Sequence, residues 1–326
     1  MNNFKLQSLL FALIIFVAAV VSKIDRDNFN KTFSAQSIKD SSITASARLL
    51  PIVQVDNQFK NTGVSLTAQS AVENNYPYKK MSIIDLSYGA EVVYASDLDN
   101  DFKFWNLDES ERWPIASITK LMSAVIAVEK VGWDKQVMIS ENADNVESST
   151  PNLSAGESYA AGDLVRAMLV VSSNDAAEAI AEFYGERNFV DEMQKKSAEL
   201  GMLETAFYDA TGLSIVNQSS SADLKKLVKY VFKYHFELMD ITREKTVELV
   251  ELKSGAKKTL NNINYFAGQG DFLGGKTGFT DSSKGNLLSV FRYQNHRILI
   301  IVMGADDRFK ETENVLDWIK KSFKFN

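Results

Sequence analysis

The 326-residue sequence contains no cysteine. Disulfides, iron–sulfur clusters, thiol nucleophiles and cysteine-based zinc sites are therefore excluded. Histidine is nearly as scarce: His235 and His296 are the two copies, far apart and outside any HExxH-like pattern. The pattern gives no support to a histidine zinc site, and a Ser-His-Asp triad would have to use one of these two. His296 lies in Gln294-Asn295-His296-Arg297, which reads as a hairpin turn, and His235 follows an apolar-periodic helix. Both read as surface or partly buried residues. An excess of positive charge is also missing. The net charge is −6 with acids and bases interspersed, which argues against a nucleic-acid partner. The apolar run at residues 9–21, preceded by Lys5, falls short of the roughly 20 residues of a full membrane span. It suits a signal-peptide h-region, with Val20 and Ser22 at the −3 and −1 positions of a cleavage site, or an uncleaved anchor. Either places the rest of the chain outside the cytoplasm.

What is present suffices for a sizeable core, since 45% of the residues are hydrophobic. Residues 1–22 read as signal peptide or anchor, and residues 23–75, rich in Ser, Asn, Gln, Asp and Thr, as a polar linker. Order is expected from residue 76 to 326. Residues 81–86 and 91–95 are strand-like and joined by Ser87-Tyr88-Gly89-Ala90, a hairpin signal. After Pro114 a helix carries Ile118, Leu121, Met122, Val125 and Val128 on one stripe. Residues 135–245 read as mainly helical, including 164–171, 175–184 and 189–200. Strand signals return at 273–279, 286–293 and 298–303, before a final amphipathic helix at 311–323. Strands at both ends with helices between them predict an α+β fold. The first hairpin and the last three strands would form one five-stranded antiparallel sheet, flanked by helices and a helical subdomain.

Three short motifs carry the chemistry. Ser117-Ile118-Thr119-Lys120 places a hydroxyl and an amine three residues apart at a helix start, hence on one face. The helical neighbours of Lys120 at three and four residues are Ala116, Ser123 and Ala124 besides Ser117, none of them acidic. A desolvated lysine there can have a lowered pKa and take the serine proton. Spacing alone is not specific, because Ser254-Gly255-Ala256-Lys257 repeats it in a polar turn. Ser172-Ser173-Asn174 forms a break between two helices, where ordinary capping competes with proton relay and amide contact. Gly274-Gly275-Lys276-Thr277-Gly278-Phe279-Thr280 is a Gly-flanked strand that an extended peptide can approach. Lys276 and Thr277 would meet a substrate carboxylate. The N–H groups of Ser117 and Phe279 would hold the oxyanion of a tetrahedral intermediate.

Taken in order, Ser-x-x-Lys, Ser-x-Asn and Lys-Thr-Gly resemble the penicillin-recognising serine D,D-peptidases. Pro114 through Met122, Ser173-Asn174-Asp175-Ala176-Ala177, Gly212-Leu213, Gly275 through Thr280, and Gly304-Ala305 with Arg308-Phe309 look like the low-molecular-mass D-alanyl-D-alanine carboxypeptidases. The resemblance implies an acyl-enzyme on Ser117, with Lys120 as base and Ser172 as proton relay. Asn174 would contact the substrate amide, and Lys276, Thr277 and Arg308 the terminal carboxylate. Peptidoglycan stem peptides would be the substrate and β-lactams covalent inhibitors, with no metal or cofactor. Many relatives add a C-terminal β-rich domain and an anchoring helix; here the chain is expected to stop after the catalytic domain, leaving any anchoring to the N-terminus. The family often has Ala-Gly after Lys-Thr-Gly where this chain reads Ser283-Lys284-Gly285-Asn286, which leaves the floor of the site open. A D,D-endopeptidase using the same residues is the main alternative. A β-lactamase, which needs a Glu-x-x-Leu-Asn-like stretch not found after Asn174, and a silent cell-wall-binding or β-lactam-sensing protein are the others.

Overall fold

Val92 to Asp97 is buried at every residue, as a strand paired on both sides must be. This strand, β1, forms a hairpin with β2 (Lys103–Leu107). The turn between them is built by its own polar side chains: Asp97 accepts from the Asp99 N–H and Asn100 from the Phe102 N–H. Asp101 takes a positive φ of 64°. The expected hairpin, 81–86 with 91–95, is therefore corrected. Its second half is β1, but the partner lies downstream, because the acidic turn satisfies its backbone locally. Residues 85–89 form no strand, and 81–84 lie outside the described residues. The computed structural model describes residues 85–147 and 153–325, with the backbone of Tyr78–Lys79. All belong to the compact unit Ser70–Asn326.

The C-terminal strand signals become β3 (Phe272–Thr280), β4 (Lys284–Tyr293) and β5 (His296–Ala305). The sheet is antiparallel throughout, in the order β3-β4-β5-β1-β2. Period-two alternation sends successive residues of β5 to opposite faces. Ile298, Ile300 and Val302 join one apolar cluster; Leu299, Ile301 and Met303 join another. Both faces are covered, which is why this stretch is continuously hydrophobic.

One cover is a layer of helices: α1 (Thr119–Ile126), α2 (Ala161–Val170), α3 (Asn174–Tyr184), α4 (Glu186–Glu199), α5 (Ser221–Tyr234) and α6 (Phe236–Arg243). The expected amphipathic helix after Pro114 proves central instead. Every residue of α1 is buried, including Thr119, Lys120 and Ser123. The opposite face is covered by α7 (Arg308–Ser322) through Val315, Leu316, Trp318 and Ile319. This helix starts earlier than the apolar periodicity suggested, because the Asp307 carboxylate accepts from the Phe309 and Lys310 N–H groups at 3.1 and 3.0 Å. Between α6 and β3 a hairpin, Thr246–Val250 with Lys257–Asn261, follows the helical stretch. The second Ser-x-x-Lys sits in its turn: Ser254 bonds Glu251, and Lys257 pairs with Glu248. That decoy is structural. Among the described residues no helix is long and apolar enough to cross a membrane; the run at 9–21 lies outside them.

The open question about Ser283 to Asn286 has a direct answer. Gly285 lets the end of the neighbouring strand β5 approach closely, since a Cβ there would lie 2.7 Å from the Ala305 carbonyl oxygen. Buried Asn286 donates to the Pro114 carbonyl at 2.8 Å and accepts from the Gly304 N–H at 3.0 Å. It ties β4 to the segment that leads into Ser117. Replacing Asn286 by leucine strands both partners, so a loss of about 2–4 kcal/mol in denaturant unfolding is expected.

Candidate active site

Ser117 lies in a 3-10 turn, Ala116–Ile118, that leads directly into α1. Ala116 holds φ at 48°, a conformation costly for a residue with a side chain. Two glycines explain how it is held. A Cβ on Gly212, itself at φ 84°, would sit 2.0 Å from the Ala116 carbonyl oxygen; one on Gly278 would meet the Ile115 oxygen at 2.7 Å. The nucleophile's turn is clamped between two backbones.

Lys120 is completely buried, and burial lowers its pKa to about 7 against the opposing pull of Asp209 and Asp175. Its Nζ lies 2.9 Å from Ser117 Oγ, 2.5 Å from Asn174 Oδ1 and 2.5 Å from the Thr211 carbonyl. An ammonium would donate to all three. A neutral amine donates to the two fixed acceptors and offers its lone pair to the serine hydroxyl. The geometry therefore prepares the amine to receive the Ser117 proton.

Ser172 follows the end of α2 at φ 61° and, like Ala116, is a non-glycine residue in the left-handed region. Capping, the competing reading of this motif, is done by Ser173, whose hydroxyl accepts from the Ala176 N–H. Ser172 and Asn174 are thereby left for other partners. Lys276 Nζ donates to Ser172 Oγ at 2.9 Å and to the Thr277 carbonyl at 2.8 Å. Asn174 donates to the Glu147 carbonyl at 2.6 Å while its oxygen receives Lys120.

A cavity of about 600 Å³ opens over these groups, lined by Ser117, Ser172 and Asn174 and, across it, by Thr277, Phe279 and Arg308. Lys276 is buried at its base, its pKa held well below the usual lysine range by burial and then by Lys120 and Arg308. Arg308 Nη1 reaches the Gly278 carbonyl at 3.4 Å, and its buried Nε makes no hydrogen bond among the described residues. Cations that repel one another around a cavity, one with an idle donor, fit a carboxylate.

β3 is one of the two edge strands, and its outer edge has two fates. The Gly275 N–H leaves the sheet to donate to Thr242 on α6 at 3.0 Å. Strand alternation turns the N–H groups of Thr277 and Phe279 to that same outer edge, which there borders the cavity. The expected oxyanion donors, Ser117 and Phe279, both border this cavity. All seven expected side-chain residues gather in or beneath this cavity. Neither histidine does: His296 pairs with Asp97 and His235 with Glu129.

Sequence reasoning missed Asp209. Its carboxylate accepts from the N–H groups of Thr211, Gly212 and Ser214 at 2.8, 2.6 and 2.9 Å and from the Thr211 hydroxyl. That turn presents the Thr211 carbonyl to Lys120. The Asp-x-x-Gly string was the available signal, but many turns share it.

A family model described as D-alanyl-D-alanine carboxypeptidase matches residues 97–307. A D-alanyl-D-alanine carboxypeptidase of Bacillus subtilis is 30% identical over 72% of this chain, which spans 63% of that relative's length. A D-alanyl-D-alanine endopeptidase of Haemophilus influenzae is 32% identical over 60% of this chain and 68% of the relative. Penicillin-binding protein D2 of Listeria monocytogenes, solved in a cefotaxime-bound form, superposes with a TM-score of 0.61 at 28% identity, covering 72% of this chain and 98% of that one.

Proposed function

This chain belongs to the D-alanyl-D-alanine carboxypeptidase family, and from that premise we propose that it is a serine D,D-carboxypeptidase removing the terminal D-alanine from peptidoglycan stem peptides. The observation that carries this reading is the fully buried amine of Lys120, 2.9 Å from Ser117 Oγ, with no carboxylate among its hydrogen-bond partners in the described residues. Ser117 Oγ passes its proton to neutral Lys120 and attacks the carbonyl carbon between the two D-alanines. The N–H groups of Ser117 and Phe279 hold the oxyanion. Ser172, held by Lys276, relays a proton to the departing amine, and Asn174 contacts the substrate amide. Lys276, Thr277 and Arg308 hold the terminal carboxylate, whose negative charge relieves the repulsion between Lys276 and Arg308. Water then hydrolyses the acyl-enzyme. A β-lactam opens its ring on the same serine and remains attached.

The catalytic domain in this reading begins near residue 76 and works outside the cytoplasm, delivered by residues 1–22 as signal peptide or membrane anchor. The named endopeptidase relative supports a second reading, hydrolysis of cross-links by the same residues. Digestion of a purified stem pentapeptide separates the two. Release of free D-alanine, with a penicillin adduct mapped to Ser117, is the expected result. Loss of cross-linked dimers without free D-alanine from the pentapeptide would favour the endopeptidase, and no adduct on folded protein would remove the acyl-enzyme altogether.

A further inference from the structure

The turn at residues 209–214 docks on α1 through two successive carbonyls. Ser123 donates to the Ala210 carbonyl at 2.7 Å and Lys120 to the Thr211 carbonyl at 2.5 Å. The two side chains are three residues apart on the helix, so they reach the turn from one face. The inside of the turn belongs to the half-buried Asp209 carboxylate, which takes the N–H groups of Thr211, Gly212 and Ser214, the Thr211 hydroxyl and the Asn217 amide. Wholly buried Asn217 closes the loop: its oxygen accepts from the Tyr208 and Asp209 N–H groups, and its nitrogen reaches Thr119 on α1. One peptide group joins the two sides. Its carbonyl, that of Thr211, receives Lys120, and its N–H, that of Gly212, donates to Asp209. A continuous chain therefore runs from the Asp209 carboxylate through this peptide and the Lys120 amine to the Ser117 hydroxyl, at 2.6, 2.5 and 2.9 Å.

An anion at the N–H end of a peptide polarises it and makes its carbonyl a stronger acceptor. That carbonyl takes one proton of the neutral amine and Asn174 takes the other, which leaves the lone pair for Ser117. Given the acylation chemistry proposed above, we propose that Asp209 is a positioning residue for the base. Acting through the peptide between Thr211 and Gly212, it aims the Lys120 lone pair at Ser117 and stabilises the ammonium formed when the serine gives up its proton. Lys120 also faces Asp175 on α3 and Lys276 on β3. Asp209 in turn faces Glu178 on α3, whose carboxyl is raised to about 7 by burial and by Glu186, Glu182 and Asp209. Glu178 titrates in the same range as Lys120, so it needs its own variant.

The test follows the rate of benzylpenicillin acylation across the pH range for the full chain, D209N, D209A and E178Q. In D209N the amide oxygen keeps the Gly212 N–H as a partner while the charge is gone. The ammonium loses an attraction, so the inflection of the profile should move about half a unit to one unit lower in pH. D209A also releases the turn, and its plateau rate should fall about tenfold or more. E178Q should keep both the inflection and the plateau of the unmodified protein. A carboxylate that merely held the turn would lower the plateau without moving the inflection. An unmoved inflection in D209N therefore overturns the proposal, as does an equal shift in E178Q or a plateau kept in D209A. If D209A does not fold, D209N decides alone. No adduct on the unmodified protein at any pH overturns the peptidase reading itself.

Discussion

Replacing Lys120 by methionine is expected to lower the rate of Ser117 acylation by a penicillin about 10²- to 10⁴-fold, the range for loss of a positioned general base. Methionine keeps most of the buried volume, so the fold should persist and the loss should be read as chemistry. The pH dependence follows from the same residue. The reactive form is the neutral amine, and its pKa is about 7. Acylation by the unmodified protein should therefore rise about tenfold per pH unit below 7 and level off above it. Stability moves with it. An unfolded lysine stays protonated to about 10.4, so between these values the unfolded chain binds more protons and wild-type stability rises with pH. The methionine variant should lose the Lys120 share of that dependence and keep the share of buried Lys276, whose pKa is also lowered. Near-normal acylation in the variant, or a flat profile through pH 7 in the unmodified protein, would assign the base elsewhere.

Gly212→Ala is expected to be nearly as damaging without removing any reacting group. The added Cβ would overlap the Ala116 carbonyl oxygen at 2.0 Å and approach the Ser117 nitrogen at 3.0 Å. It would also stand at φ 84°, where alanine is strained. The 3-10 turn must shift, and a displacement of about 1 Å at a reacting centre is worth roughly 10² in rate. A drop of 100-fold or more in acylation is expected, with a stability loss of about 2–4 kcal/mol. Gly201→Ala is the control. Gly201 has φ 69° with open space around its Cβ, so it carries the backbone strain alone and should leave acylation unchanged. Equal acylation losses in the two variants would mean that the clamp on Ser117 does not matter.

The sequence alone was informative wherever one local property decides structure. The continuous apolar run 298–303 is a strand buried on both faces, and the Gly-flanked Lys276 lies on an edge strand beside the cavity. A proton acceptor other than histidine was likewise expected from composition, since two histidines leave little choice. Local signals failed where a turn competes with another turn. Ser87 to Ala90 carries a good hairpin signal, yet the acidic turn after Asp97 bonds its own backbone and takes the partner strand.

Ser-x-x-Lys by itself could not separate Ser117 from Ser254, because spacing on a helix says nothing about what surrounds it. Tertiary structure decided that. Lys120 lies wholly inside the protein between Asn174 and the Thr211 carbonyl, whereas Lys257 faces solvent and pairs with Glu248. Desolvation by distant parts of the chain makes the first an amine with a pKa near neutrality. Asp209 and Gly212 belong to the same category, since each acts through a residue about 90 positions away in sequence. The order of the motifs along the chain determined which chemical groups are available. Burial and close backbone approach, which exist only once the sheet and helical layers meet, determined which of them can react.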